Sequence, residues 1–241
     1  MAEAPLYRRV QESLLDRINR MQIGEMLPAE PELEREFGVS RATVRRAVEN
    51  LVQSGVLEKQ QGRGTTIRDH PETQDVGRVY SWKAEMARRG VESSSRLLSI
   101  GRAKPSRRIA EDLRLSADEL VVVISRLQLV KGAPIALIVN TLRERYVPDL
   151  VERGLPAESL YEELTGHYGL ALAGGEETIG AREATATEAS LLEVPEGSAL
   201  LNVRRVTLLR GNVPFEVVDM AARGDKYKYH ATLAGALRKR R

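Results

Sequence analysis

The stretch FGVSRATVRRAVENLVQSGVLEKQQGRGT, residues 37–65, is the most informative part of the chain. Gly38 interrupts any preceding helix, and Ser40 is a residue type that favours the position just before a helix. The residues that follow carry apolar side chains at helical spacing, which predicts a helix with one buried face; these side chains are Val44, Ala47, Val48 and Leu51. Arginines and a threonine are left on the outer face of its first turns.

A short hairpin is predicted directly after this helix. Gly55 ends the helix, and residues 56–58 are predicted to form a strand. Gly62 and Gly64 flank Arg63, and glycines on both sides of a cation at a turn indicate a close approach of the backbone to another molecule. This region is therefore predicted to be the tip of the hairpin.

Two predicted helices precede this segment. Residues 6–21 are amphipathic and predict a first helix. Residues 27–30 end one element and begin an acidic second helix, whose buried face carries Leu33 and Phe37. The order helix, helix, tight turn, helix and glycine-tipped hairpin is that of a winged helix-turn-helix, in which the helix after the turn enters a groove of DNA.

Charge is sorted within the first 70 residues, although their net charge is zero. Residues 25–36 carry five acidic side chains and one basic one, whereas residues 41–68 carry six basic and two acidic ones. This division places positive potential on the third helix and the hairpin, where phosphates would lie. The basic tail at residues 238–241 contributes to the pI of 9.2 and is either a solvated end or a further DNA contact.

Length and composition narrow the class of protein. A chain of 241 residues is long enough for two domains, which we expect at residues 1–69 and 78–237, joined by a polar linker at residues 70–77. There is no cysteine and the three histidines are not spaced for metal binding, so no disulfide, metal or cofactor is predicted. The sequence shows no signal peptide and no apolar run of the ~20 residues that span a bilayer, so we expect a cytoplasmic protein with no membrane partner.

The second predicted domain contains an internal repeat. A shift of 79 residues aligns Arg126 with Arg205, and after one extra residue Pro134 aligns with Pro214. Each copy is predicted to run strand, short helix, strand, glycine-containing turn and strand. Two such copies predict an antiparallel sheet with helices on one face, and therefore an α+β fold.

The two copies could enclose a cleft lined by the inward faces of their strands. Polar side chains within these otherwise apolar strands are costly to bury unpaired, so those facing inward should meet a ligand or each other. The alternative is that strand alternation simply exposes them to solvent. The candidates are Arg126, Gln128 and Asn140 in the first copy and Arg205, Thr207, Glu216 and Asp219 in the second.

Residues 6–68 resemble the N-terminal domain of the GntR family of bacterial transcription regulators. The matching motifs are Leu27-Pro28-Ala29-Glu30, Gly38-Val39-Ser40-Arg41, Thr43-Val44-Arg45, Leu51, Gly55 and Gly62-Arg63-Gly64-Thr65. Many relatives have a DNA-contacting arginine where this chain has Pro31, so affinity should depend more on the third helix and the wing. Together with the glycine-flanked Arg63, the DNA contacts that the resemblance implies are Ser40, Arg41, Thr43, Arg45, Gln61 and Gly62.

Residues 78–234 resemble the UTRA effector-binding domain of the HutC subfamily, whose fold is similar to that of chorismate lyase. The matching motifs are S-x-x-x-E-M-x-x-R-G at residues 81–90, Gly132-x-Pro134-Ile135-Ala136, Ser159-Leu160-Tyr161-Glu162 and Pro214-x-Glu216. The resemblance implies a pocket for a small-molecule effector. Its expected contacts are Arg126, Gln128, Tyr161, Glu216 and Tyr229.

The expected pocket departs from that of many phosphosugar-binding relatives. Gln128 replaces a second arginine, while Ile138 and Val218 stand where a glutamate and a serine or threonine are common. Loss of the second cation argues against a phosphosugar ligand. Arg126 and Glu216 would instead present a cation and an anion to a zwitterion or a hydroxyl-rich molecule.

These features predict a ligand-responsive transcriptional regulator, most simply a repressor that an effector releases from DNA. We expect a homodimer on a pseudo-palindromic double-stranded operator, because two recognition helices read two half-sites. Two alternatives remain at this point. One is an architectural DNA-binding protein without an effector, and the other is an enzyme of chorismate-lyase-like fold, for which no Ser/His/Asp or Cys/His set is visible.

Overall fold

The computed structural model describes residues 5–21, 24–53, 56–60, 64–67, 82–88, 90–155 and 159–229. These residues form two compact units, one N-terminal and one C-terminal. The predicted wing-tip residues Gln61, Gly62 and Arg63 and the predicted linker at residues 70–77 lie outside the described ranges. No helix in the described part of the chain is long and apolar enough to cross a membrane.

The N-terminal unit consists of three helices followed by a hairpin: α1 (Leu6–Ile18), α2 (Glu30–Phe37), α3 (Arg41–Gln53), β1 (Leu57–Gln60) and β2 (Gly64–Ile67). The two strands pair antiparallel, with Leu57 opposite Ile67. The apolar stripe predicted for α3 is buried in the same core as the inner faces of α1 and α2. The predicted winged helix-turn-helix fold is therefore confirmed.

The turn between α2 and α3 follows from two residues. Gly38 has a φ of 61°, in the left-handed region that glycine adopts without strain, and its N–H donates to the carbonyl of Glu34 to close α2. Ser40 then caps α3, because its Oγ accepts from the N–H of Thr43 at 3.4 Å. A glycine stop followed by a serine cap two residues later sets the tight turn that precedes α3.

Helix α1 ends at Ile18, three residues earlier than the sequence predicted. The N–H of Arg20 donates to the carbonyl of Arg17 at 2.9 Å, and that of Met21 to Ile18 at 3.2 Å. These three-residue bonds tighten the chain into a turn, as commonly happens at a helix end. Met21 retains its place against the core although it is no longer helical.

The C-terminal unit is built on one antiparallel six-stranded sheet. Its helices and strands are α4 (Trp82–Arg88), β3 (Ser93–Ala103), α5 (Arg107–Asp112), β4 (Val121–Val130), β5 (Ala133–Arg143), α6 (Leu150–Arg153), α7 (Leu160–Gly166), β6 (Leu172–Glu183), α8 (Ala186–Leu192), β7 (Ala199–Leu209) and β8 (Val213–Arg223). The strands are ordered β3-β4-β5-β8-β7-β6 in the sheet, and a short 3₁₀ helix (Glu144–Tyr146) follows β5.

The predicted repeat is present in the structure. Each copy runs strand, helix, strand, strand: β3-α5-β4-β5 in the first and β6-α8-β7-β8 in the second. The helix caps are equivalent, since Ser106 accepts from the N–H of Ile109 and Thr185 from that of Glu188. The extra residue of the second copy lies in its hairpin turn, residues 210–212, compared with residues 131–132 in the first. Because β5 and β8 pair antiparallel at the centre, a pseudo-twofold axis relates the copies.

The two faces of the sheet are covered differently. Helices α5 and α8, the helices of the repeat, pack on one face, where Val217 and Ala221 of β8 are buried. Helix α4 packs on the other face, through Met86 against Ile138 and Met220. The prediction of helices on one face is therefore right for the repeat and wrong for α4, which precedes the first copy and covers the face left open by α5 and α8.

Glu188 gives the second copy a pH-dependent contribution to stability. Its carboxylate accepts from the N–H and hydroxyl of Thr185 at 3.1 and 3.0 Å and from Arg182 Nη1 at 2.7 Å. The bond from Arg182 lowers the pKa of Glu188 to about 2; burial opposes this shift, and the bonds from Thr185 reinforce it. The folded pKa is thus below the ordinary value of 4.5, so the contribution is complete above that value and is lost as the pH falls towards 2.

We therefore expect Glu188→Gln to lower the free energy of unfolding at pH 7, by an amount that shrinks progressively as the pH falls below about 4.5. Urea denaturation at a series of pH values measures this difference. The matched control is Glu111→Gln on α5, where the carboxylate pairs only with the exposed Arg107. A difference for Glu188→Gln that stays constant down to pH 3 would contradict the assignment.

Candidate functional site

The predicted DNA-contacting residues of α3 lie together on its outer surface. Arg41 is exposed at the first position of the helix, and Arg45 is exposed one turn further along. The hydroxyls of Ser40 and Thr43 are hydrogen-bonded to each other at 2.9 Å beside them. Two guanidiniums and two hydroxyls therefore share one end of the helix, as contacts to phosphates and base edges require.

Two further contacts set the direction of the arginines on α3. Arg45 Nε donates to Oε1 of Glu49 at 2.9 Å, one helical turn away, which holds the guanidinium along the exposed surface. Arg46 instead stacks over the ring of Tyr7 in α1, with its guanidinium carbon 4.2 Å from the ring centre. Arg46 therefore serves contacts within the unit, whereas Arg41 and Arg45 face outward.

The base of the wing has a third segment that the sequence interpretation missed. Met26 forms a β-bridge with Thr66, and the N–H of Leu27 donates to the carbonyl of Thr65 at 2.8 Å. The sequence predicts only a stop and the start of α2 at residues 27–30, and it predicts no strand pairing there. Backbone pairing of this kind has no strong side-chain signal, because it depends on the edge that β2 leaves open.

The C-terminal unit contains a cavity with about 490 Å³ of empty space, part of it open to solvent. It lies on the sheet face that carries α4, with walls from the strands β3, β4, β5, β7 and β8, from α4 and from the start of α7. Arg126, Gln128 and Tyr161, three of the predicted effector contacts, line it.

Glu216 lies behind the cavity wall and is fully buried. Its Oε1 accepts from Asn140 Nδ2 at 2.7 Å, and its Oε2 accepts from the hydroxyls of Tyr161 at 2.7 Å and Thr207 at 2.8 Å. Both oxygens are thus occupied by the protein. The expectation that Glu216 would present a negative charge to a ligand does not match this placement; the carboxylate instead positions the residues around it.

Two guanidiniums flank this carboxylate through intermediate side chains. Arg126 Nη2 donates to Asn140 Oδ1 at 3.0 Å, and Arg205 Nη2 donates to the hydroxyl of Tyr161 at 2.9 Å. Burial raises the pKa of Tyr161, and the neighbouring Glu216 raises it further. The phenol therefore stays protonated and donates to Glu216 while it accepts from Arg205.

Two predicted residues lie outside the cavity. Tyr229 is 42% exposed, and its hydroxyl donates at 2.6 Å to Glu177, the carboxylate that also pairs with Arg205 at 3.5 Å. Asp219 lies on the opposite face of the sheet, where Arg204 binds it at 2.6 Å. The inward position predicted for Asp219 is wrong because it is three residues from Glu216, and strand alternation sends the two side chains to opposite faces.

Several donors that line the cavity have no hydrogen-bond partner among the described residues. The atoms concerned are buried and are Trp82 Nε1, Ser95 Oγ, Arg126 Nε, Gln128 Nε2 and Arg205 Nε. Arg205 was a cleft candidate on the sequence because the repeat aligns it with Arg126. Trp82 and Ser95 carried no sequence signal of their own. Buried donors without partners are uncommon in folded proteins, so their concentration here makes this cavity the candidate binding site.

The described residues contain no group of three or more His, Asp or Glu side chains that could hold a metal ion. The side chains that line the cavity include hydrogen-bond donors and two guanidiniums. Such groups bind and orient an oxygen-rich ligand.

Comparison with known proteins identifies the family of each unit. Residues 6–67 match the family described as bacterial regulatory proteins, gntR family, and residues 88–228 match the UTRA domain. The two matches define a DNA-binding transcriptional regulator with an effector-binding domain. The chain belongs to the GntR family and to its HutC-type branch, in which the DNA-binding domain is joined to a UTRA domain.

The relatives are transcriptional regulators rather than enzymes. The chain is 27% identical over 227 residues to the transcriptional repressor NagR of Bacillus subtilis, with 93% of each chain covered. It is 30% identical over 208 residues to the probable regulator PhnF of Escherichia coli, with 86% of each chain covered. It is 28% identical over 211 residues to the histidine utilization repressor of Pseudomonas aeruginosa, with 85% of this chain and 82% of the relative covered. The crystal structure of PhnF from Mycobacterium smegmatis matches with a TM-score of 0.60 at 25% identity, covering 93% of this chain and 99% of that one.

We expect Glu216→Ala to lower the free energy of unfolding by roughly 3 kcal/mol or more, since removing one member of a buried polar network leaves its partners unsatisfied. Thr207→Val is the matched control, because it keeps the side-chain shape and removes only one of the three bonds, at about 1 kcal/mol. Urea denaturation measures both changes. A loss for Glu216→Ala no larger than that for Thr207→Val would contradict the supporting role.

Proposed function

We propose that this protein is a cytoplasmic repressor that binds its operator as a homodimer and releases it when a small molecule enters the cavity of the C-terminal unit. The observation that carries this proposal is the cluster of unpartnered buried donors around an empty space in a domain of the UTRA family. An architectural protein without an effector would fill such a space with its own side chains. Relatives named as repressors, among them NagR and the histidine utilization repressor, support the direction of regulation.

The DNA-binding half of the proposal rests on α3. Inserted in a major groove, its first turns would bring Arg41 and Arg45 to base edges, with Ser40 and Thr43 close to phosphates. We further propose that the wing tip, with Gln61, Gly62 and Arg63, contacts the DNA backbone. Two such units in a dimer would read the half-sites of a pseudo-palindromic operator about one helical turn apart.

The effector half of the proposal rests on the cavity. Arg126, Gln128 and Tyr161 would contact the ligand directly, Glu216 would position them, and Tyr229 would act from outside through Glu177. Ligand binding must favour a conformation with lower operator affinity, and coupling of this kind is typically worth ~1–3 kcal/mol.

We expect Arg41→Ala and Arg45→Ala each to weaken operator binding by ~1–3 kcal/mol and to relax sequence preference, because each removes a contact to a base edge. Fluorescence anisotropy with operator and scrambled duplexes measures both effects. Arg107→Ala is the matched control: Arg107 forms the same four-residue-spaced ion pair, at 2.9 Å, as Arg45 does, but on α5 of the C-terminal unit. Full operator affinity in both α3 variants would refute the assignment of this surface.

Arg63→Ala should behave differently from the α3 variants. A residue that contacts phosphate contributes to binding of every sequence, so the variant should bind operator and scrambled DNA more weakly by a similar factor. The slope of log affinity against log salt concentration should also become shallower by about one unit. Salt titration of both duplexes separates this outcome from loss of base recognition, which would change only the operator.

A further inference from the structure

Three of the unpartnered donors in the cavity are close neighbours. Arg126 and Gln128 are two residues apart on β4 and therefore share one face of the sheet. Ser95 on β3 is directly opposite Gln128 in the strand register, and the β-carbons of such pairs are about 5 Å apart. Arg126 Nε, Gln128 Nε2 and Ser95 Oγ can thus reach one small group between them.

These three atoms can all donate hydrogen bonds, and two of them belong to deeply buried side chains. Arg126 is 7% exposed and Gln128 1% exposed, and neither atom named above has a partner among the described residues. A guanidinium and a side-chain amide nitrogen can donate but not accept. The group that fits between them must supply acceptors, as the oxygens of an anion do.

The two cavity arginines differ in how their charge is balanced. Burial acts to lower the pKa of Arg205, but Tyr161, Glu216 and Glu177 outweigh it and leave that pKa raised. Burial also lowers the pKa of Arg126, and there the charges of Glu216 and Tyr161 do not outweigh it. The carboxylate of Glu177 pairs directly with Arg205, whereas Arg126 reaches Glu216 only through the amide of Asn140. Among the described residues, the Arg126 guanidinium therefore has no carboxylate in contact.

We propose that the ligand is a monocarboxylate whose carboxylate group is held by Arg126, Gln128 and Ser95; this inference rests on the proposed effector function. A carboxylate carries one negative charge and two oxygens, which match one unbalanced guanidinium and two neutral donors. A phosphate monoester carries about −1.5 to −2 charges at neutral pH and three free oxygens, which is more charge than the single guanidinium of this group of three donors matches. The earlier expectation of a zwitterion is replaced, since both oxygens of Glu216 are occupied by Asn140, Tyr161 and Thr207.

The test uses the full-length protein and pairs of probes with matched carbon skeletons. D-glucuronate and D-glucose 6-phosphate differ chiefly in bearing a carboxylate or a phosphate at the same end, and acetate and inorganic phosphate are the minimal pair. Monocarboxylates of other shapes, namely aromatic acids and 2-hydroxy acids, are paired with the phosphate esters of the corresponding alcohols. Thermal shift at constant ionic strength identifies binders, and calorimetry gives their Kd.

The proposal expects at least one carboxylate to bind the wild type more tightly than its phosphate counterpart. Arg126→Gln should raise the Kd of that carboxylate roughly 10- to 100-fold, as loss of a charge-assisted hydrogen bond does. Ser95→Ala should raise it several-fold, and Gln128→Arg, which restores a second cation, should reverse the preference towards the phosphate. Arg107→Gln on α5 is the control and should change nothing.

Three results would overturn the proposal: a wild type that prefers the phosphate of every pair, a wild type that binds no carboxylate of the set, or an unchanged Kd in both Arg126→Gln and Ser95→Ala. Because Ser95→Ala only removes a hydroxyl, it keeps the test valid if Gln128→Arg does not fold. Operator release is measured separately. A carboxylate that binds through Arg126 but leaves the operator complex intact would refute the repressor function and leave the ligand class standing. Release of the operator by a neutral compound, without any need for Arg126, would refute the ligand class and leave the repressor function standing.

Discussion

The C-terminal unit depends on one buried carboxylate, that of Glu216, to join its two repeats. Glu216 is on β8 of the second copy, and its three donors come from β5 of the first copy, β7 of the second and the start of α7 between them. A fully buried carboxylate is tolerated only when donors surround it, so these three segments must keep their relative positions. Two of these three donors, Asn140 and Tyr161, also line the cavity. The same hydrogen-bond network thus holds the three segments together and forms part of the cavity wall.

Much of this architecture could be predicted from the sequence, because it depends on local signals. Gly38 and Ser40 predicted the turn before α3, and the apolar stripe of α3 predicted its buried face. The 79-residue repeat predicted a duplicated sheet and paired Arg126 with Arg205. The end of α1 at Ile18 was missed, since the apolar spacing continues to Met21 while the backbone bonding changes.

The errors in the predicted site concern how deeply each side chain is buried, because burial depends on several separate segments of the chain at once. Glu216 is at an inward position of its strand, as predicted, but it is buried behind Asn140 and Tyr161 because side chains from three separate segments converge on it. Asp219 could have been placed correctly by strand alternation alone, and it binds Arg204 on the helix-covered face. Tyr229 follows the last strand, so its position could not be predicted from a strand register. It lies at the exposed end of the chain of contacts through Glu177.

The duplication also explains how a symmetric framework can hold an asymmetric ligand. The pseudo-twofold axis brings Arg126 and Arg205 to opposite sides of one cavity. The residues around them have diverged: the repeat aligns Gln128 with Thr207, and Glu216 with the alanine at position 136. As a result Arg205 is held by Glu177 and Tyr161, whereas Arg126 has no carboxylate in contact among the described residues and lies beside the unpartnered donors of Gln128 and Ser95. The proposed anion site therefore lies on the first copy, and the ion pair of Arg205 with Glu177 lies on the second, so an anionic ligand would meet two different surfaces. A ligand bound in this way can shift the conformation of the domain only by as much as its affinity differs between the two conformations.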